Sequence, residues 1–196
     1  MRDQYIGFEG PIGAGKTTLS RLLASHIEAC LILEDVDGNE FLPDFYQDRE
    51  RWGLPMQLWF LTARHQQLSA ECFGEGPIVA DYTFAKDRIF AEILLGQRDL
   101  RLYDRIASGL RILRQSDLVV YLDADDAVLL ERIAGRGRPY EASITSSYLD
   151  SVRDAYERYL DSCAELKVLR INTTDLDLSS QADLNELYAS ILVRCD

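Results

Sequence analysis

The chain has 196 residues with 33 acidic and 21 basic side chains, a formal net charge of −12. That length supports one α/β domain with a sizeable core, so residues 1–196 are read as a single domain. The acidic balance excludes a nucleic-acid polymer or an anionic membrane as partner, since both need clustered Lys and Arg to displace counterions.

The apolar stretches are strand-sized and the first strand starts almost at the N-terminus without a signal-peptide h-region, so a cytoplasmic chain without a membrane span is expected. Cys30, Cys72, Cys163 and Cys195 are scattered, with only His26 and His65 beside them, and are read as reduced thiols rather than a transition-metal site. The first element is the short apolar run Tyr5 to Phe8. After it, Gly10 to Thr17 read G-P-I-G-A-G-K-T and match the phosphate-cradling pattern G-x-x-x-x-G-K-[ST]. Thr17 to Ala24 then take up helical spacing. Glycines in a strand-to-helix turn let the backbone approach a triphosphate, and the helix N-terminus supplies fixed positive potential. Gly10, Pro11, Ile12, Gly13, Ala14, Gly15, Lys16, Thr17 and Thr18 are therefore the expected ATP-binding residues. Lys16 is expected to reach the β- and γ-phosphates, and Thr17 to ligate magnesium.

Four more strands are predicted: Cys30 to Glu34, Pro77 to Asp81, Leu118 to Asp123 and Val168 to Asn172. Helical patterns run from Leu54 to Phe73 and from Gln97 to Gln115, the latter with Leu100, Tyr103, Ile106, Ala107 and Leu110 on helical spacing. Residues Thr173 to Ser180 read as a loop before an amphipathic C-terminal helix. Alternating strands and helices imply right-handed crossovers and a parallel sheet with ligands at the strand C-terminal ends. The expected fold is α/β, a P-loop kinase with a five-stranded parallel sheet flanked by helices and an Arg-rich lid.

Three clusters carry chemistry. Strand two ends in Leu33-Glu34-Asp35, and Glu34 is the candidate general base, because transfer to an alcohol needs a carboxylate near the attacking oxygen. Strand three ends in Asp81, which can hold magnesium opposite Thr17, or cap the helix that follows. Arg132, Arg136 and Arg138 with Gly135 and Gly137 form the candidate lid at about residues 132–141, whose guanidinium groups can neutralise a phosphoryl transition state. A plain helix C-terminus explains the same residue types.

With these residues in place, the sequence from the first strand to about Tyr159 resembles the deoxynucleoside kinase family, which includes bacterial deoxyadenosine and deoxyguanosine kinases and the animal deoxycytidine kinase. The resemblance implies that Glu34 stands at the catalytic-base position. It puts Tyr46 and Glu141 on the sugar 3′-hydroxyl and Gln57 on the base edge. Arg64 lies seven residues past Gln57, two helical turns away, and Asp87 six past Asp81. In the family such a pair makes a polar end to the base pocket and favours purine or cytosine over thymine; an interhelix salt bridge is the plainer reading. Among the aromatics, Phe84 and Trp52 are the pocket candidates. One departure stands out: where the family carries acid-Arg-Ser, this chain has Asp81-Tyr82-Thr83, and a lid arginine or Arg88 is the expected compensation.

The resemblance thus implies ATP- and magnesium-dependent phosphorylation of a deoxynucleoside 5′-hydroxyl, with deoxyadenosine, deoxyguanosine or deoxycytidine favoured over thymidine. Two rivals remain at this point, a nucleoside-monophosphate kinase of thymidylate kinase type and a non-catalytic nucleotide sensor. A homodimer packed through the two long helical segments is also expected by resemblance.

Overall fold

The computed structural model describes residues 4–69, 76–110 and 114–195. Its five strands are β1 (Tyr5–Glu9), β2 (Cys30–Ile32), β3 (Ile78–Ala80), β4 (Leu118–Asp123) and β5 (Val168–Asn172). The helices are α1 (Lys16–His26), α2 (Leu42–Gln47), α3 (Arg49–Ser69), α4 (Ala85–Leu94), α5 (Gln97–Ala107), α6 (Asp126–Arg136), α7 (Ser146–Ser162) and α8 (Gln181–Cys195), with a 3-10 turn at Pro139–Ser143. The strands pair in the order β2-β3-β1-β4-β5, and every pairing is parallel. This is the expected five-stranded parallel sheet, with β1 at its centre.

The strands alternate between two covered faces, as the pleat requires. Ile6, Phe8, Val79, Val120 and Leu122 pack with Leu19 and Leu23 of α1, Leu129 of α6 and Leu187 and Ile191 of α8. The intervening residues face the other way, Val119 and Tyr121 against Ile89 of α4 and Val152 and Tyr156 of α7. Tyr5, Ile78 and Ala80 meet Leu68 of α3 on that same side. Each fully buried aliphatic side chain contributes about 1.5–3 kcal/mol, which outweighs local preferences where the two conflict.

Such a conflict occurs in α3. Its predicted start was Leu54, after Gly53 and before Pro55, yet the helix begins at Arg49 and runs through both. Pro55 deletes one backbone donor, but Met56 and Phe60 are buried with Leu42 and Phe45, and that apolar face holds the turn in helical form. Residues 70–73 of the predicted segment, with Cys72, lie outside the described residues. The other long segment is shorter than expected, because α5 stops at Ala107 and Gln115 is not helical. Strands two and three are also trimmed at their ends, so Glu34 and Asp81 sit just beyond the ladder, in the turns above the sheet.

Candidate active site

The loop from β1 to α1 passes close under the sheet edge. Gly10 adopts φ 135°, and a β-carbon there would sit 2.0 Å from the carbonyl oxygen of Leu122. No side chain caps α1, so its first N–H groups remain directed at the loop. The Lys16 ammonium donates to the carbonyls of Gly10 (2.8 Å) and Pro11 (2.7 Å). Burial and the neighbouring Lys86 charge lower its pKa to about 8. Ile12 to Thr18 line a cavity of about 650 Å³, whereas Gly10 and Pro11 serve it from behind.

Because β2 and β3 are neighbours, the residues that follow them meet. Asp81 Oδ2 accepts a hydrogen bond from Thr17 Oγ1 at 2.6 Å, and its Oδ1 accepts from the Glu34 backbone N–H at 2.7 Å. Asp81 does not cap α4, whose first flanking residue is Phe84. The Glu34 carboxylate is clasped from two helices. Oε1 accepts from Arg64 Nε (3.1 Å) and Nη2 (2.5 Å), and Oε2 accepts from Lys86 Nζ (2.6 Å). Burial by itself would raise the Glu34 pKa; the charges and hydrogen bonds of Lys86 and Arg64 outweigh it and hold the group at about 2. Glu9, at the end of β1, is buried beneath them and accepts from Thr83 N and Oγ1 and from the Tyr156 hydroxyl. Burial pushes its carboxyl up.

One face of α3 forms a wall of this cavity. Gln57, Phe60 and Arg64 share that face by helical spacing and all three line it. Arg64 reaches past Glu34 to an ion pair with Asp87. Gln57 Nε2 donates to the Asp87 carbonyl and to its Oδ1, both at 2.8 Å, and Tyr103 donates to Oδ2 at 2.8 Å. Asp87 is fully buried behind Gln57 and Arg64 and does not itself reach the cavity wall. The interhelix salt bridge and the polar pocket end are therefore one arrangement, with the carboxylate orienting the two residues that line the wall.

Arg132, Arg136 and Arg138 all line the opposite side. Arg132 and Arg136 belong to α6, which ends at Gly137 in the left-handed conformation (φ 69°). Gly135 is an ordinary helical residue, so the expected two-glycine loop is instead a helix end followed by a 3-10 turn. Arg132 is anchored, donating to Thr173 Oγ1 (3.0 Å) and to its carbonyl (2.7 Å). Arg136 lies 2.9 Å from Glu141 Oε2, and Arg138 contacts Asp37 at 3.1 Å. Glu141 is buried, and its Oε2 receives no aligned hydrogen bond despite the nearby guanidinium. Tyr46 lines the cavity too and packs against Tyr140, 5.3 Å between ring centroids.

Two expected pocket aromatics stand elsewhere. Trp52 stacks on Phe41 within the α2–α3 cluster, and Phe84 packs among Tyr82, Leu61 and Tyr103. The aromatic lining is Phe45, Tyr46, Phe60, Phe90 and Tyr148.

A family model described as deoxynucleoside kinase matches residues 6–191. The chain belongs to the deoxynucleoside kinase family. It is 34% identical over 197 residues to the deoxyguanosine kinase of Bacillus subtilis, covering 95% of each chain. It is 33% identical to the deoxyadenosine kinase of Dictyostelium discoideum, over 89% of this chain and 74% of that one. Among solved structures, the deoxyadenosine kinase of M. mycoides with bound dATP superposes with a TM-score of 0.82 at 25% identity, over 96% of this chain and 99% of that one. The same enzyme with dCMP and dCDP gives 0.83 at 24% identity, over 97% and 99%.

As a deoxynucleoside kinase the chain is a nucleotide-binding transferase with the P-loop kinase fold, which sets aside the monophosphate-kinase and sensor alternatives. Lys86, Phe60 and Phe90 also line the cavity, and none of them is among the residues expected from the sequence. A signal was present: Lys86 and Phe90 are four apart on α4, as Phe60 and Arg64 are on α3, so each aromatic shares a face with a cation. In both pairs the cation lies over the ring, 5.7 Å for Lys86 and 4.7 Å for Arg64.

Proposed function

We propose that this deoxynucleoside kinase transfers the γ-phosphoryl group of ATP to the 5′-hydroxyl of a purine or cytosine deoxynucleoside, with Glu34 as general base. The observation that carries this reading is the place of Glu34: it lines the same cavity as Lys16 and Thr17 of the P-loop and as Gln57 and Arg64 of the α3 wall. A nucleoside with its base at Gln57 and Arg64 would direct its 5′ end toward the phosphate loop. Glu34 then takes the hydroxyl proton as the oxygen bonds to the γ-phosphorus, and the bridging P–O bond to ADP breaks. Lys16 and the arginines at 132, 136 and 138 balance the charge on the transferring group, with residues 132–141 acting as the lid. Single-domain action by residues 1–196 is part of this reading.

Thr17 Oγ1 and Asp81 Oδ2 are hard oxygen donors in contact at the mouth of the loop, a donor set that suits magnesium. Bound there, the ion would neutralise phosphate charge. Tyr46 and Glu141 are read as the partners of the sugar 3′-hydroxyl, and the acceptor oxygen of Glu141 that lacks an aligned donor supports this. The purine and cytosine preference is supported by the names of the relatives and by the Gln57–Arg64–Asp87 arrangement: with its amide nitrogen held by Asp87, Gln57 offers its Oε1 as an acceptor to a base edge, and Arg64 keeps guanidinium N–H groups to donate. A salvage role in the cytoplasm fits this chemistry, and no helix among the described residues is long and apolar enough to cross a membrane. A homodimer through α3 and α5 is supported by Leu102 and Ile106, exposed apolar residues four apart on α5.

The decisive experiment compares native enzyme and Glu34→Gln against four deoxynucleosides and their monophosphates, with ATP and magnesium and then with chelator. The variant is expected to lose about 10²–10⁴-fold in kcat with a much smaller change in KM. Near-native turnover would remove Glu34 from the mechanism.

A further inference from the structure

Position 82 raises a charge problem that the sequence expectation does not solve. Tyr82 is fully buried, its hydroxyl donates to Gln67 Oε1 at 2.6 Å, and it brings no charge to the cavity. Arg88, one expected substitute, points away and pairs with Glu92 (2.9 Å) and Asp104 (3.0 Å). The lid arginines are engaged with Thr173, Glu141 and Asp37. None of these cations touches Glu34. Arg64 does, but its guanidinium is shared between Glu34 and the buried Asp87, so one positive charge faces two carboxylates.

Lys86 completes the balance. It is the second residue of α4, its side chain is 10% exposed, and its ammonium lies 2.6 Å from Glu34 Oε2. The Phe90 ring one turn on lies 5.7 Å from that ammonium. We propose that Lys86 is the positioning residue of the phosphoryl-transfer site: it holds Oε2 of Glu34 while Arg64 holds Oε1, fixing the carboxylate's orientation and supplying from α4 the charge that position 82 lacks. The inference rests on reading Glu34 as the base. Without Lys86, Oε2 loses its only hydrogen-bonded cation among the described residues, and the group of Arg64, Glu34 and Asp87 carries a net negative charge in a buried site.

The test compares Lys86→Met, Lys86→Arg and Glu34→Gln with native enzyme, measuring kcat, KM for the deoxynucleoside and the thermal midpoint. Lys86→Met is expected to lose about 10²-fold in kcat with KM changed by less than about threefold. Lys86→Arg is expected to restore most of the turnover. If Glu34→Gln is inactive while Lys86→Met keeps its rate, the Lys86 assignment fails and the base assignment stands. Loss of rate in Lys86→Met that Lys86→Arg does not restore, together with a lowered thermal midpoint, would also overturn it, by making Lys86 a structural residue. Near-native turnover by Glu34→Gln would overturn both assignments.

Discussion

On the proposal that Glu34 is the general base, a carboxylate held at a pKa of about 2 is a weak one. An alcohol gives up its proton to such a group only once its oxygen has begun to bond to phosphorus, which suits the loose transition state of phosphoryl transfer. In that proposal the two cations that weaken the base also orient it, Arg64 through Oε1 and Lys86 through Oε2. Asp87 is bound into the same network with a different task. It is fully buried, and it is held by Arg64, Gln57 and Tyr103. Asp87→Ala leaves Arg64 with a single carboxylate and Tyr103 without its acceptor, so urea unfolding should show a loss of about 3–5 kcal/mol. The released Gln57 should also flatten the preference among bases in a competition assay. A native unfolding midpoint would show that the pair contributes nothing to the fold.

At the scale of elements, the phosphate loop was legible because its requirements are local: spacing of glycines, a strand before and a helix after. Gly10 shows how strict they are, since a side chain there would meet the Leu122 carbonyl at 2.0 Å in a backbone conformation L-residues avoid. Gly10→Ala should therefore yield protein that fails to bind ATP in titration calorimetry, whereas ordinary ATP affinity would mean the loop can move off β4. Glu34 and Asp81 were legible for a related reason, since strand ends in a parallel sheet collect at one edge. Lys86 and Phe90 were hidden because a lysine on an amphipathic helix ordinarily reads as solvated. Its direction here depends on how α4 packs against α3 and α7, a non-local fact. Trp52 and Phe84, the expected pocket aromatics, pack away from the cavity lining, Trp52 on Phe41 and Phe84 near Leu61 and Tyr103, and the directions of these side chains are set by those partners rather than by local spacing. In α3 a local rule at Pro55 yielded to burial of Met56 and Phe60.

For the whole molecule, the strand order puts β1 between β3 and β4, so the phosphate loop rises from the sheet's centre with the acidic turns on one side and α6 on the other. The outer surface of α5 plays no part in that site. Leu102 is 44% exposed and Ile106 38%, while Tyr103 between them is buried. Replacing both by Asp (Leu102→Asp with Ile106→Asp) should turn a dimer into a monomer in sedimentation velocity, with the thermal midpoint shifted little apart from the lost association. A native enzyme that sediments as a monomer would end the dimer proposal. The Thr173 hydroxyl has a consequence of another kind. It donates to the Ala14 carbonyl at 3.2 Å across 159 residues of sequence, and the same residue receives Arg132 and bonds to the Asp123 carbonyl. During synthesis the phosphate loop is made 159 residues before the residue that braces it. The nascent chain therefore carries the nucleotide motif well before the residue that braces its cradle, so the finished loop depends on a contact of high sequence separation.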